Sequence, residues 1–120
     1  MKEGFKSLIV WQKSMDLADT VFQFTKKFPK EEQYGLTSQM RRAAVSIPSN
    51  IAEGSRRTSK KDYVQFLRIA SGSAVELETQ LLLAQKWYPT AVSPAALPLL
   101  SEIEKMLSSL VRRLGEQPSM

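Results

Sequence analysis

The sequence predicts an all-α protein that folds as an antiparallel up-down-up-down four-helix bundle. Three observations favour this class. Apolar residues recur at steps of three and four along four segments, which is helical spacing, and no segment is predicted to be a strand. The connections between these segments are short, which favours antiparallel neighbours. The 120 residues are enough for one domain with a modest core and no disulfide or metal.

The first helix is predicted over residues 8–28. Pro29 ends it, because the residue before a proline disfavours helical geometry, and Lys26 and Lys27 complement the dipole of its last turn. One apolar stripe, which we expect to face the core, has a second apolar set beside it. The stripe is Trp11, Met15, Ala18 and Phe22, and the second set is Leu17, Val21 and Phe24.

The second helix is predicted over 37–57, with a kink at Pro48. This proline removes one backbone hydrogen bond and clashes with the carbonyl of Ala44. Ser49 and Asn50 follow it, and they can contact a ligand, satisfy carbonyls that the proline releases, or bond to a neighbouring helix. The apolar stripe of this helix is Leu36, Met40, Ala43, Ile47 and Ile51.

The third helix is predicted over 60–88. Ser59 and Asp62 resemble a capping box at its start, and small residues at 71–73 suit close approach of another helix. Leucines at 81, 82 and 83 cannot all face one direction at 100° per residue. The extra apolar width favours self-association.

The fourth helix is predicted over 94–114, with Ser93 as its N-cap and Pro94 at its first position. Gly115 suits the C-terminal cap, Arg112 and Arg113 complement the helix dipole, and residues 115–120 are expected to form a frayed tail. Its apolar seam is Leu100, Ile103, Leu107, Leu110 and Leu114.

The composition excludes several classes of function. The chain has no cysteine, which rules out thiolate chemistry, and no histidine, which rules out a Ser-His-Asp site and the Glu-x-x-His pairs of di-iron bundles. Glu76 and Glu78 lie about 200° apart on a helix and cannot converge on one ion. We therefore expect no enzyme activity, no cofactor and no metal site. Without a signal peptide or an apolar run of about 20 residues, we expect a cytoplasmic protein that does not enter membranes.

Positive charge is concentrated in one segment. Between Arg41 and Arg68 there are seven basic and two acidic residues, a net charge of +5, which equals the net charge of the whole chain. Such a concentration concerns partners more than fold. The candidate nucleic-acid-binding residues are Arg41, Arg42, Arg56, Arg57, Lys60 and Lys61.

Two interpretations of these residues remain open. They can form a phosphate-binding surface, aided at Lys60 and Lys61 by the free amides of a helix N-terminus. Alternatively, they solvate a helix face and pair with carboxylates such as Glu53, which lies four residues before Arg57.

The motifs YGLTSQMRRAAVSIPSNIAEGSRR, from Tyr34 to Arg57, and FLRIASGSAVELETQL resemble a known family. This is the family of small four-helix-bundle proteins encoded in intervening sequences of 23S ribosomal RNA genes. The accessory protein of diversity-generating retroelements is a relative. The resemblance extends from about Leu8 to Leu114, and VWQKSMDLADTVFQFTKKFP is similar to the family's opening helix. It implies a bundle that assembles into a homopentameric ring and, in the retroelement relative, a basic surface that engages nucleic acid and a reverse transcriptase.

Two functions follow as hypotheses. The first is a non-enzymatic homo-oligomer, pentameric by the resemblance, that binds RNA or DNA through phosphate contacts. The second is a structural adaptor for a protein partner such as a reverse transcriptase or a ribosomal component, with Arg41 and Arg42 bonded to partner carboxylates.

Overall fold

The computed structural model describes residues 4–115, which contain four α-helices and no strand. The all-α class and the number of helices predicted from the sequence are therefore confirmed. The helices are α1 (Ile9–Thr25), α2 (Leu36–Ser55), α3 (Lys60–Trp87) and α4 (Ala96–Gly115), and two short 3₁₀ helices cover Gly4–Ser7 and Lys30–Glu32. The predicted frayed tail lies outside the described residues except for Gly115, the last residue of α4.

Three helix boundaries differ from prediction by two residues or more: the ends of α1 and α2 and the start of α4. α1 ends at Thr25 because the next three amides bond three residues back, in a tighter turn. Phe28 lies beyond that end but is buried, with its ring 5.0 Å from the ring of Tyr88. α2 ends at Ser55 and not at residue 57, because the amides of Arg56 and Arg57 bond three residues back. α4 begins at Ala96 because Ser93 forms a turn first: its hydroxyl accepts the amide of Ala95 at 3.2 Å.

Each helix packs against two others, α1 and α3 both contacting α2 and α4. Along the α2–α3 contact, Ser46 meets Ser73, and Gly54 meets Tyr63. The residue number rises on one helix as it falls on the other, so α2 and α3 run in opposite directions. The molecule measures 54 × 27 × 23 Å, so its two ends are well separated.

The core uses the second apolar set of α1 and only part of the predicted stripe: Trp11 and Ala18 are partly buried against it. Leu17 and Val21 are completely buried, whereas Met15 and Phe22 are 46% and 42% exposed. The predicted stripe of Trp11, Met15, Ala18 and Phe22 lines an open groove between α1 and α2. The prediction was wrong for Met15 and Phe22 because α1 carries two apolar stripes, and only one can face α2 and α4 together.

The predicted seam of α4 is confirmed at Leu100, Ile103 and Leu107, which are completely buried. The leucine triplet of α3 also divides as expected: Leu81 is buried, while Leu82 is 47% exposed. α3 therefore presents apolar surface outside the core.

Helix α2 continues through Pro48. The kink at this residue stays a prediction. The Asn50 side-chain amide donates to the Ser46 carbonyl at 2.8 Å and to the Ser46 hydroxyl at 3.0 Å, and not to the Ala44 carbonyl. The Ser46 and Ser73 hydroxyls are hydrogen-bonded at 2.8 Å, so the network joins α2 to α3. Asn50 thus has a structural role.

Gly54 lies in the last turn of α2, in close contact with α3. A Cβ atom there would lie 2.7 Å from Cβ of Phe66 and 3.2 Å from the backbone oxygen of Tyr63. Among the small residues of α3, Ser73 lies at the interface with α2, but Gly72 faces open space, so the expected close approach fails at Gly72.

Gly54→Ala and Gly72→Ala should change stability in opposite directions. Alanine favours a helix by about 1 kcal/mol over glycine, which should stabilise the Gly72 variant. At Gly54, overpacking against α3 costs about 1–3 kcal/mol and should outweigh that gain. Urea unfolding measures both free energies. Stabilisation by Gly54→Ala would show that α2 and α3 are not in tight contact here.

Candidate nucleic-acid interface

Four of the six candidate residues cluster in the connection between α2 and α3. Arg56 and Arg57 directly follow α2, and Lys60 and Lys61 open α3. All four are exposed. Within residues 4–115, Arg56, Lys60 and Lys61 have no ion-pair partner. The connection therefore presents largely uncompensated positive charge.

The start of α3 adds backbone donors to these cations. The Ser59 hydroxyl accepts the amide of Asp62 at 3.0 Å, which confirms the predicted N-cap. The amides of Lys60 and Lys61 have no acceptor in the described part of the chain. Free amides and the helix dipole at an N-terminus favour anions.

Arg57 is held by two contacts. Its Nη2 donates to Oε2 of Glu53 at 2.7 Å, which confirms the predicted pair, and its guanidinium lies 4.7 Å from the ring centre of Phe66. Arg56 and Arg57 border an open groove of about 530 Å³, with Ser49, Ala52 and Glu53. Both members of the Arg57–Glu53 pair are exposed, so water screens it and a competing anion can replace it.

The structure adds basic residues that charge counting along the chain did not assign to this site. Lys6 belongs to a 3₁₀ helix that packs against α1 and α2, and Arg113 shares a groove with Ser7 and Ile9. The sequence does show Arg112 and Arg113 as a basic pair near the end of α4, but we expected them only to complement the helix dipole. We define the basic end of the bundle as Lys6, Arg56, Arg57, Lys60, Lys61, Arg112 and Arg113.

Arg41 is tied to α1. Its Nε donates to the Thr25 hydroxyl at 2.9 Å, its Nη2 donates to the Phe22 carbonyl at 3.3 Å, and its guanidinium lies 4.3 Å from the Phe22 ring centre. The Phe22 carbonyl does not accept the Lys26 amide, its usual helical donor, because that amide bonds to the Gln23 carbonyl instead. Arg41 thus caps α1 from α2, where the dipole favours a cation.

Arg42 is exposed and has no ion-pair partner among residues 4–115. It precedes Arg56 by about 21 Å along α2, at 1.5 Å per residue. Arg41 and Arg42 therefore do not share a contact surface with the other four candidates. The six predicted residues form two separate groups.

A pair of acidic side chains marks a different face, between α3 and α4. Glu78 and Glu104 border the same groove. Burial, a hydrogen bond that protonated Glu104 donates to the Glu78 carboxylate, and the negative charge of Glu78 together raise the pKa of Glu104 to about 7. Glu104 therefore carries a proton below neutral pH.

No group of three or more side chains that could hold a metal ion occurs within residues 4–115. In the same part of the chain we find no helix with the length and apolar character that a membrane span requires.

These features define a small helical bundle with one strongly basic end. A family model for the 23S rRNA-intervening sequence protein matches residues 6–109. The chain therefore belongs to this family, as its central motifs indicated.

Among solved structures, the chain is similar to a protein of unknown function from the S23 ribosomal protein family of Bacteroides thetaiotaomicron. The two share 24% identity over 87% of this chain and 99% of that one, with a TM-score of 0.74. At this identity the likeness supports the four-helix fold alone. The comparison with curated proteins gives no match.

Arg41→Ala should destabilise the fold, because it removes two charge-assisted hydrogen bonds and a cation–π contact. We expect a loss of about 1–2 kcal/mol in the free energy of unfolding. Arg56→Ala is the matched control, since Arg56 is exposed at the end of the same helix and should change stability by less than about 0.5 kcal/mol. Equal effects of the two substitutions in urea unfolding would contradict the structural role of Arg41.

Proposed function

We propose that this protein is a non-enzymatic homo-oligomer that binds RNA or DNA through phosphate contacts at its basic end. The observation that carries the proposal is the α2–α3 connection, where four exposed cations meet the free amides of Lys60 and Lys61. Binding of this kind gains its free energy from counterion release, so it depends strongly on salt and weakly on sequence.

The geometry supports phosphate as the ligand. Arg56, Lys60 and Lys61 lie within a few residues on a short connection, and Arg57 is already oriented by Glu53 and Phe66. Arginine forks and helix N-termini both donate hydrogen bonds to phosphate oxygens. The bases need not be read, and no exposed aromatic side chain lies within the α2–α3 connection.

Two separate apolar faces support self-association. On one side of the bundle, Met15 and Phe22 of α1 and Val45 of α2 are exposed. On the side formed by α3 and α4, Val75 and Leu82 of α3 are exposed. Two unlike faces on one chain can associate head to tail, and such contacts close into rings when the rotation permits. The resemblance implies five subunits. Repetition of the basic end would let weak single contacts act together.

The adaptor hypothesis makes a different prediction for the same charges. A protein partner bound through carboxylates stays associated after nuclease treatment, whereas a partner bridged by nucleic acid is lost. A pull-down from nuclease-treated and untreated lysate therefore separates the two functions.

Replacement of Arg56, Arg57, Lys60 and Lys61 by alanine should weaken binding to a mixed-sequence single-stranded RNA by at least about tenfold near physiological salt. The slope of log K against log salt concentration should fall by as much as about three, since each lost phosphate contact contributes about 0.7. Fluorescence anisotropy over a salt series measures both quantities. Light scattering should show an unchanged oligomeric state.

The matched control removes four positive charges from the opposite end: Lys26, Lys27, Lys30 and Lys86, all replaced by alanine. This variant has the same net charge as the first but keeps the basic end intact, so it should bind RNA nearly as well as the parent. If the two variants bind equally weakly, net charge alone governs binding and the site assignment is wrong. If the parent itself fails to bind, the nucleic-acid function is wrong.

A further inference from the structure

The α3–α4 face combines apolar surface with a half-buried pair of carboxyl groups, those of Glu78 and Glu104. The groove on one side is lined by Val75, Ser108 and Val111, and the groove on the other by Leu82 and Leu97; Glu104 borders both. Glu78 lies beside Glu104 across the helix contact. Two carboxyl groups within an apolar face favour binding of a cationic side chain that is itself surrounded by apolar residues.

Among residues 4–115, no cation forms an ion pair with Glu78 or Glu104. Arg68 lines one of these grooves, but it lies ten residues before Glu78, about 15 Å along α3. On α4, Lys105 borders a different groove, shared with Ile9, and Glu102 pairs with Lys13 of α1 at 3.0 Å. Neither α1 nor α2 contributes a described residue to the two grooves beside the pair.

The face of α1 and α2 has the complementary character. Val45 is 55% exposed and lies one turn after Arg42, beside the apolar groove that Met15 and Phe22 line. Asp19 also lines this groove, but it accepts a hydrogen bond from Gln23 and not from Arg42. Arg42 is thus an uncompensated guanidinium at the edge of an exposed apolar surface.

We propose that Arg42 of one protomer docks between Glu78 and Glu104 of a second copy of this chain. The apolar face of α1 and α2 then covers the apolar face of α3 and α4. A guanidinium can donate to both carboxylates at once, which an ammonium group does less well. The contact rests on the self-association proposed above and specifies its faces and its charge pair.

Docking of Arg42 couples assembly to pH. In the free protomer the pKa of Glu104 is about 7, so at pH 6 this carboxyl group is mostly protonated. The guanidinium favours the doubly ionised pair, and the proton is released on association. Raising the pH through 7 therefore strengthens association, and each contact should be about tenfold weaker at pH 6 than at pH 8.

Sedimentation velocity at pH 6 and pH 8, at several protein concentrations and constant ionic strength, tests the contact. The parent should dissociate at higher concentration at pH 6 than at pH 8. Glu104→Gln should abolish most of this pH dependence, because the titrating group is gone. Arg42→Ala should weaken association at pH 8 by at least tenfold. Arg56→Ala, just beyond the end of the same helix and about 21 Å from Arg42, should leave association unchanged.

A charge exchange distinguishes direct pairing from a structural defect. Arg42→Glu should abolish assembly, and adding Glu104→Arg in the same chain should restore part of it, with circular dichroism showing that both variants are folded. A parent that assembles with no pH dependence, together with an Arg42→Ala variant that assembles equally well, would overturn this contact but leave self-association intact. A parent that is monomeric at both pH values would overturn both proposals. Loss of RNA binding in the Arg56/Arg57/Lys60/Lys61 variant is independent of either result.

Discussion

The close contact between α2 and α3 at Gly54 is the constraint on which the candidate site depends. Because Gly54 has no Cβ atom, the last turn of α2 can lie directly against the first turns of α3. The Phe66 ring can then pack against the Arg57 guanidinium, and the N-terminus of α3 lies next to the cations that follow α2. A wider helix spacing would separate the guanidinium from its aromatic support and the basic side chains from the free amides. Packing and ligand chemistry are thus joined at one residue without a side chain.

Helical periodicity was sufficient to predict the elements, but not which face of each element is buried. On α4, one apolar seam met one polar face, so the core positions Leu100, Ile103 and Leu107 could be read directly. On α1, two apolar stripes competed, and the choice depends on where α2 and α4 lie in space. The start of α3 was predictable because the Ser59 side chain fixes it. Helix ends were missed where the backbone tightens, as after Thr25.

The candidate site was predictable in its centre and not in its extent. Nearness in sequence guarantees nearness in space across a four-residue connection, so Arg56 and Lys60 could be grouped correctly. It does not do so along a helix: Arg41 and Arg42 are adjacent, but a 100° rotation turns one towards Phe22 and the other towards solvent. Lys6 and Arg113 come from opposite ends of the chain and meet this region only through folding. The Glu78–Glu104 pair likewise requires two helices to be placed together before it exists.

The two apolar faces run along the sides of an elongated molecule, and the basic end lies at one tip. Cyclic symmetry about an axis parallel to the helices would carry every tip to the same rim of the ring. Such a ring would have an uneven charge distribution, with a positively charged rim on one face and a surface closer to neutral on the other. A polyanion could then bind along the positively charged rim without displacing a subunit, since the apolar faces and the basic end are different parts of each protomer.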